Sequence, residues 1–239
     1  MDVICVIPAR YKSTRFPGKP LADINGDPLI QHVWNKCFDF TGDSNKIIVA
    51  TDDDRIFKVC KDRGMLCEMT SPDCMTGTDR VAELAISMGI DTIVNVQGDE
   101  PLIDPRDIEL VASEAKYYDI CCGMCDILHE DDFRSPSIIK IVTTIDNKLM
   151  YASRSPIPTN KNFDFISAKK QVCIYGFSLS ALKDFYKQSN KTHFEGIEDI
   201  EILRFLELGY SVQMVNVSNS SISVDSPEDL QRVKNALSI

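Results

Sequence analysis

The beginning of the chain is the stretch that most constrains what it can fold into. Residues 3–7, Val-Ile-Cys-Val-Ile, are a short, mostly β-branched run ending at Pro8. Length and composition suit a buried strand. Proline donates no ladder hydrogen bond, so the strand is expected to stop there. Four cations follow within ten residues, Arg10, Lys12, Arg15 and Lys19, interleaved with Ser13, Thr14 and Gly18. A strand that hands such a loop to the edge of a sheet has two readings. One is a solvated basic loop. The other is a cradle for a polyphosphate, in which Arg and Lys neutralise oxygens and backbone N–H groups fill the remaining sites. No Gly-Lys-Ser/Thr closes the loop, so it is not a Walker A loop.

Composition makes that loop stand out. The chain of 239 residues carries a formal net charge of -10, so its positive charge is local. General binding to nucleic acid or to an anionic membrane is therefore not expected. No apolar run reaches the length of a membrane span, and Met1-Asp2 leads directly into the first strand, which argues against a signal peptide. The nine cysteines are scattered. Cys121-Cys122-x-x-Cys125 has no partner pair for a metal, so the cysteines read as small core residues in a reducing cytoplasm.

Strand and helix signals then alternate. Leu29, Ile30, Val33, Trp34 and Cys37 recur at helical spacing after Pro28. Residues 46–50 read as a strand, 53–64 as a helix opened by the acids Asp52, Asp53 and Asp54, and 66–69 as a third strand. A polar loop with Thr76, Gly77 and Arg80 precedes a helix over 79–88; at a helix start such a loop can donate to a base or phosphate. Residues 92–96 form a fourth strand that runs into Gln97-Gly-Asp99-Glu100. An acid just past the carboxyl end of a central strand stands where open α/β sheets bind ligands, or simply caps the next helix. Gly98 would let backbone approach a ligand closely, and Asp99 could hold Mg²⁺.

After a helix over 105–117 the pattern changes. Strands are expected at 119–128 and 138–145, the second carrying Lys140 as an edge gatekeeper or a charge aimed at a ligand. A proline-punctuated segment (151–158) and a polar excursion (159–170) lead to a strand over 172–177 and a helix over 180–188. One amphipathic helix is expected over 195–208, ending at Gly209, then a strand over 211–217. Asp225 either caps the last helix, with Pro227 in its first turn, or serves as a second metal carboxylate. The sum is an α/β fold of three layers with a mainly parallel central sheet and a smaller antiparallel extension. With no linker or repeat, residues 1–239 read as a single domain.

Ile7-Pro-Ala-Arg-Tyr-Lys-Ser-Thr-Arg-Phe-Pro-Gly-Lys-Pro20 and Asn95-Val-Gln-Gly-Asp-Glu-Pro101, taken together, resemble the 3-deoxy-manno-octulosonate (Kdo) cytidylyltransferases. Thr76-Gly-Thr-Asp-Arg80, Ser153-Arg-Ser-Pro-Ile-Pro158, Ile174-Tyr-Gly176 and Val224-Asp-Ser-Pro-Glu-Asp-Leu230 continue the likeness in the same order, over essentially the whole chain. The resemblance implies a Rossmann-like nucleotidyltransferase fold, usually a homodimer. Residues 1–120 would be mainly the CTP-binding half; 121–239 would bind the sugar acid and dimerise. The enzyme would join CTP to a 2-keto-3-deoxy sugar acid, for bacterial lipopolysaccharide or capsule synthesis. By resemblance Arg10, Ser13, Arg15 and Lys19 bind the triphosphate, with Arg15 and Lys19 stabilising the leaving pyrophosphate. Thr76, Gly77 and Arg80 belong to the cytidine side, and Asp99 with Asp225 hold catalytic Mg²⁺. Gln97, Arg154, Gln171, Tyr175, Glu201 and the position of Ile202 fall in the sugar-acid pocket.

The chain departs from the family pattern at Gln171, where the family has His, at Cys173, where it has Gly, and at Ile202, where it has Gln. Such changes can alter which hydroxyl a site reads. Two alternatives therefore stand beside Kdo: another acid acceptor, such as a nonulosonic acid or a phosphonate, and a nucleotide-binding protein without turnover.

Overall fold

The computed structural model describes residues 3–12 and 16–237, so Ser13 and Arg15 lie outside the described residues. In chain order the elements are β1 (Ile4–Ala9), a two-residue ladder of β2 (Asp23–Ile24) and β3 (Asp27–Pro28), α1 (Leu29–Thr41), β4 (Ile47–Thr51), α2 (Asp54–Asp62), β5 (Cys67–Met69) and α3 (Gly77–Met88). Then come β6 (Thr92–Val96), α4 (Pro105–Glu114), β7 (Ile120–Asp126), α5 (Glu130–Arg134), β8 (Lys140–Thr143), β9 (Leu149–Ser153) and β10 (Lys169–Ser178). The chain closes with α6 (Leu179–Tyr186), α7 (His193–Glu198), α8 (Ile202–Glu207), β11 (Gln213–Asn216) and α9 (Pro227–Ala236).

The main sheet has the order β11-β7-β10-β6-β1-β4-β5, with β8 and β9 as a side branch on β10. β1 pairs parallel with β4 and β6, β4 with β5, and β7 with β11, while β10 runs antiparallel to β6 and β7. After β5 the chain crosses back to lay β6 on the other side of β1. The strand order therefore reverses between β1 and β6, which is where open α/β sheets place their ligand crevice.

Period-two alternation along the strands feeds two cores. Cys5, Ile7 and Ala9 of β1 join α1, α2, α4 and α9 on one face, whereas Val6 joins α3, α6 and α8 on the other. That makes the three layers expected from the sequence. β8 and β9 form the antiparallel extension.

Several local expectations change in the fold. β1 continues through Pro8 to Ala9, paired with Ala50 and Thr51 of β4. The Pro8 carbonyl faces Gly98, beyond the last β1–β6 pair at Val6 and Asn95. The missing N–H points to that same side, where no ladder partner is left to need it. The helix expected over 195–208 is two helices, broken at Asp199, which is left-handed (φ 53°). Asp225 does not cap α9; Ser226 does, in a capping box with Asp229. Lys140 is neither edge gatekeeper nor ligand charge: it is fully buried, and its ammonium is spent on backbone carbonyls.

Candidate active site

A cavity of about 650 Å³ opens at the carboxyl ends of β1 and β6. Strand β1 delivers Pro8, Ala9 and Arg10 to it, and β6 delivers Gln97, Gly98 and Asp99. The opposite wall comes from the second half of the chain. Gln171, Cys173 and Tyr175 occupy alternate positions of β10 and so share one face, which lines the cavity.

Lys19 organises one end of the cavity. Its Nζ lies 2.7 Å from Asp99 Oδ2 and 3.4 Å from Asp225 Oδ1. Burial works against the ammonium, yet the two carboxylates outweigh it and hold the Lys19 pKa above its ordinary value. Asp225 reaches this point through a strap of backbone: Ser218 N donates to Asp107 Oδ1 at 2.9 Å, Ser221 Oγ bonds Glu100, and Val224 N donates to the Asp99 carbonyl at 2.9 Å. Burial, with Asp99 adding repulsion, pushes the Glu100 carboxyl up to about 8. Gly98 is required here for a different reason from the one its position suggests. A Cβ would sit 2.7 Å from the Pro8 carbonyl oxygen, so the close approach is to β1 and not to a ligand.

The start of α3 forms one side of the cavity, through Thr76, Gly77 and Arg80. Its free donors are already used. Glu201 accepts from the N–H of Gly77 at 3.2 Å and of Thr78 at 2.8 Å, while Thr76 caps the helix on Asp79 N. The first-turn amides expected to meet a base or phosphate are thus spent within the protein. Arg80 is buried and bonded to Thr70, with Asp52 at 3.2 Å. Arg204 ties α8 to the same helix: its guanidinium lies 2.7 Å from Asp79 and 2.6 Å from Glu195, all three buried.

Of the residues assigned to the sugar-acid pocket, Gln97, Arg154, Gln171, Tyr175 and Glu201 line the cavity. Arg154 spends its guanidinium on the carbonyl oxygens of Pro136, Glu198 and Asp199, at 2.9, 2.6 and 2.9 Å. Gln171 is only 8% exposed; its Nε2 donates to the Tyr175 hydroxyl at 3.0 Å, and its Oε1 is buried with no partner among the described residues. Ile202 is a correction: it is buried in the core with α3 and α6, one residue past Glu201 on a helical turn, and its neighbour Ile200 lines the cavity instead. Sequence reasoning missed Pro136, Ser137, Lys191 and Asp199 on the cavity wall, because nothing local marks them. Cys173 lines the cavity too, but burial, with the charges of Glu100 and Asp99, pushes its thiol well up. A thiol so disfavoured as thiolate makes a poor nucleophile.

The donor set can be tested against a divalent ion. Two carboxylates from distant segments already converge on one positive charge, the Lys19 ammonium. Mg²⁺ is commonly held by one or two carboxylates and completes its shell with phosphate oxygens and water. Asp99 and Asp225 fit that requirement. Among the described residues no group of three or more His, Cys, Asp or Glu stands ready to cage a metal by itself.

Comparison with known proteins gives the family and the fold. The cytidylyltransferase family model matches residues 4–216. A 3-deoxy-manno-octulosonate cytidylyltransferase of Geobacter sulfurreducens is 42% identical, with 98% of each chain covered. An 8-amino-3,8-dideoxy-manno-octulosonate cytidylyltransferase of Shewanella baltica is 37% identical, with 100% of each covered. The solved structure of a CMP:2-keto-3-deoxy-manno-octonic acid synthetase complexed with CTP matches with a TM-score of 0.89 at 34% identity, covering 99% of this chain and 98% of that one.

Proposed function

The chain belongs to the cytidylyltransferase family, and from that premise we propose that it transfers CMP from CTP to Kdo and releases pyrophosphate. The observation that carries this reading is the meeting of Lys19, Asp99 and Asp225 in one cavity, from positions 80 and 206 residues apart. The anomeric hydroxyl of the sugar acid would attack the α-phosphorus in line, with pyrophosphate leaving. Charge neutralisation and positioning then supply the catalysis, with no covalent enzyme nucleophile. Arg10 and Lys19 border the place where triphosphate charge would lie, and Lys19 follows that charge onto the departing pyrophosphate. Asp99 and Asp225 would hold Mg²⁺, which when bound acidifies the attacking hydroxyl and screens the α-phosphate.

The acceptor would lie along the wall of Gln97, Tyr175, Arg154 and Glu201. The Shewanella relative raises an 8-amino acceptor as the main competitor. In this cavity Asp199 is paired with Lys191 at 2.5 Å and Glu201 accepts from two backbone amides, so both carboxylates already carry donors, and the Lys191 ammonium adds positive charge against a second one. That favours Kdo. A homodimer fits the exposed apolar side chains of Ile145 in the β8–β9 turn, Met150 of β9, and Phe194 and Ile197 of α7. The nine cysteines are all free, as suits a reducing cytoplasm. The test is pyrophosphate release from CTP against a panel of Kdo, its 8-amino analogue, a nonulosonic acid and a phosphonate, with and without Mg²⁺. Kdo should be turned over fastest. Absence of turnover with every acid would leave the non-catalytic reading.

A further inference from the structure

Lys140 is a buried charge that the chemistry above does not use. It is 0% exposed, at the start of β8. Its Nζ donates to the carbonyl oxygens of Ser135 and Ile138 at 2.7 Å each and of Arg154 at 2.6 Å. An ammonium has three protons, and all three are placed. Burial holds the Lys140 pKa below its ordinary value, and Arg154 adds to this while Glu198 opposes it. A lysine kept in such surroundings is costly unless its charge does something an apolar side chain cannot.

What it does is visible in the partners. Arg154 carries the circuit onward: its own N–H donates to the Glu198 carboxylate at 2.9 Å, and its guanidinium reaches the carbonyls of Pro136, Glu198 and Asp199. Two cations thus fasten three segments to one another: 135–138, the end of β9, and the α7–α8 break. Pro136, Ser137, Arg154, Asp199 and Ile200 of the cavity wall lie on these segments. The phosphate end is held by other bonds, through Lys19 and the strap that carries Asp225.

We propose that Lys140 is a positioning residue for the acceptor: its ammonium ties segment 135–138 to Arg154, whose own bonds carry the clamp to the α7–α8 break, so that the acceptor wall is held apart from the bonds that fix the CTP end. It rests on the reading above for the identity of the acceptor alone. Side-chain cations aimed at backbone carbonyls fix loops more tightly than apolar packing does, because each bond has a direction as well as a distance. Arg154 then serves this wall as the second half of the clamp.

Steady-state kinetics of Lys140→Met and Lys140→Gln against wild type provide the test. The Met variant fills the space without donors, and the Gln variant keeps two N–H donors, so it carries the test if the Met protein does not fold. The KM for Kdo should rise about tenfold or more in Lys140→Met and by a smaller factor in Lys140→Gln, with the KM for CTP within about twofold of wild type. Equal rises in both KM values, or no rise in either, would overturn the clamp. Hydrogen exchange without substrate gives a readout independent of the acceptor. It should speed up at 135–139 and 198–201 in Lys140→Gln and stay unchanged at 97–99; unchanged exchange at the wall would also overturn it. A wild-type protein inactive on every sugar acid defeats the proposed reaction instead, and the exchange result then decides the clamp.

Discussion

Glu201 Oε2 accepts a hydrogen bond from the backbone N–H of Thr78 at 2.8 Å, across 123 residues of sequence. With the companion bond from Gly77, a carboxylate from the second half of the chain closes the amino end of a helix in the first half. Arg204, one turn further along α8, repeats the join through Asp79. The two halves of the cavity are therefore joined at α3 by bonds of their own, separate from those that Lys140 makes.

Replacing Glu201 tests this brace. Glu201→Ala removes the cap and the favourable charge at the α3 dipole, and should cost about 1–2 kcal/mol. Glu201→Gln keeps an acceptor oxygen and should cost less. Urea unfolding with an unchanged m-value is the measurement; equal stability of Glu201→Ala and wild type would mean that water replaces the cap freely.

Asp99 and Lys19 should separate in their effects. Asp99→Asn is expected to lower pyrophosphate release about 10³-fold and to raise the Mg²⁺ concentration needed for half activity. Lys19→Met should lower the rate and raise the KM for CTP if, as proposed, its ammonium faces the triphosphate. A Mg²⁺ titration of Asp99→Asn that overlays wild type would remove Asp99 from the metal site.

Gly98→Ala probes geometry alone. The added Cβ would meet the Pro8 carbonyl at 2.7 Å, a backbone atom that cannot swing away. The variant should lose about 1–3 kcal/mol of stability. It should also lose activity out of proportion, since Asp99 is the next residue. Denaturation and the pyrophosphate assay on the same preparation check both.

Asp104 supplies a pH test away from the cavity. It caps α4 by accepting from Arg106 N at 2.9 Å, and the Arg106 guanidinium bonded to it holds its carboxyl down at about 2. The folded value lies below the ordinary 3.8, so the stabilisation is present above about pH 4 and is lost as pH falls through about 2. Asp104→Ala should cost about 1 kcal/mol at pH 7. The gap between variant and wild type should close in acid, as followed by thermal melts across that range.

Much of the chain could be read in one dimension. The β-branched runs, the 3.6-residue period of α1 and the Asp53 cap on α2 announce themselves locally, because strand alternation, helix faces and caps depend on residues a few positions apart. So does the cationic loop after β1, and the acid after β6 lies where the reversed strand order puts a ligand crevice. Pro8 misled because its effect depends on which neighbour has already ended. A single helix over 195–208 misled because its apolar period continues across a break that only Asp199 and its partners impose.

What only the tertiary structure decided is where the long polar side chains spend their bonds. Lys140 read as an edge gatekeeper or a ligand charge and Arg154, by resemblance, as a pocket charge, and folding turned both onto backbone carbonyls. Ile202, beside a cavity residue, went into the core, and Glu201 turned to α3. By itself the sequence determined the layered α/β fold, the loop after β1 and the carboxylates able to share a cation. That Asp225 meets Lys19 and Asp99, and which donors remain free for substrate, depends on groups that become neighbours only after the chain has closed, because hydrogen-bond partners are chosen by distance in space and not along the chain.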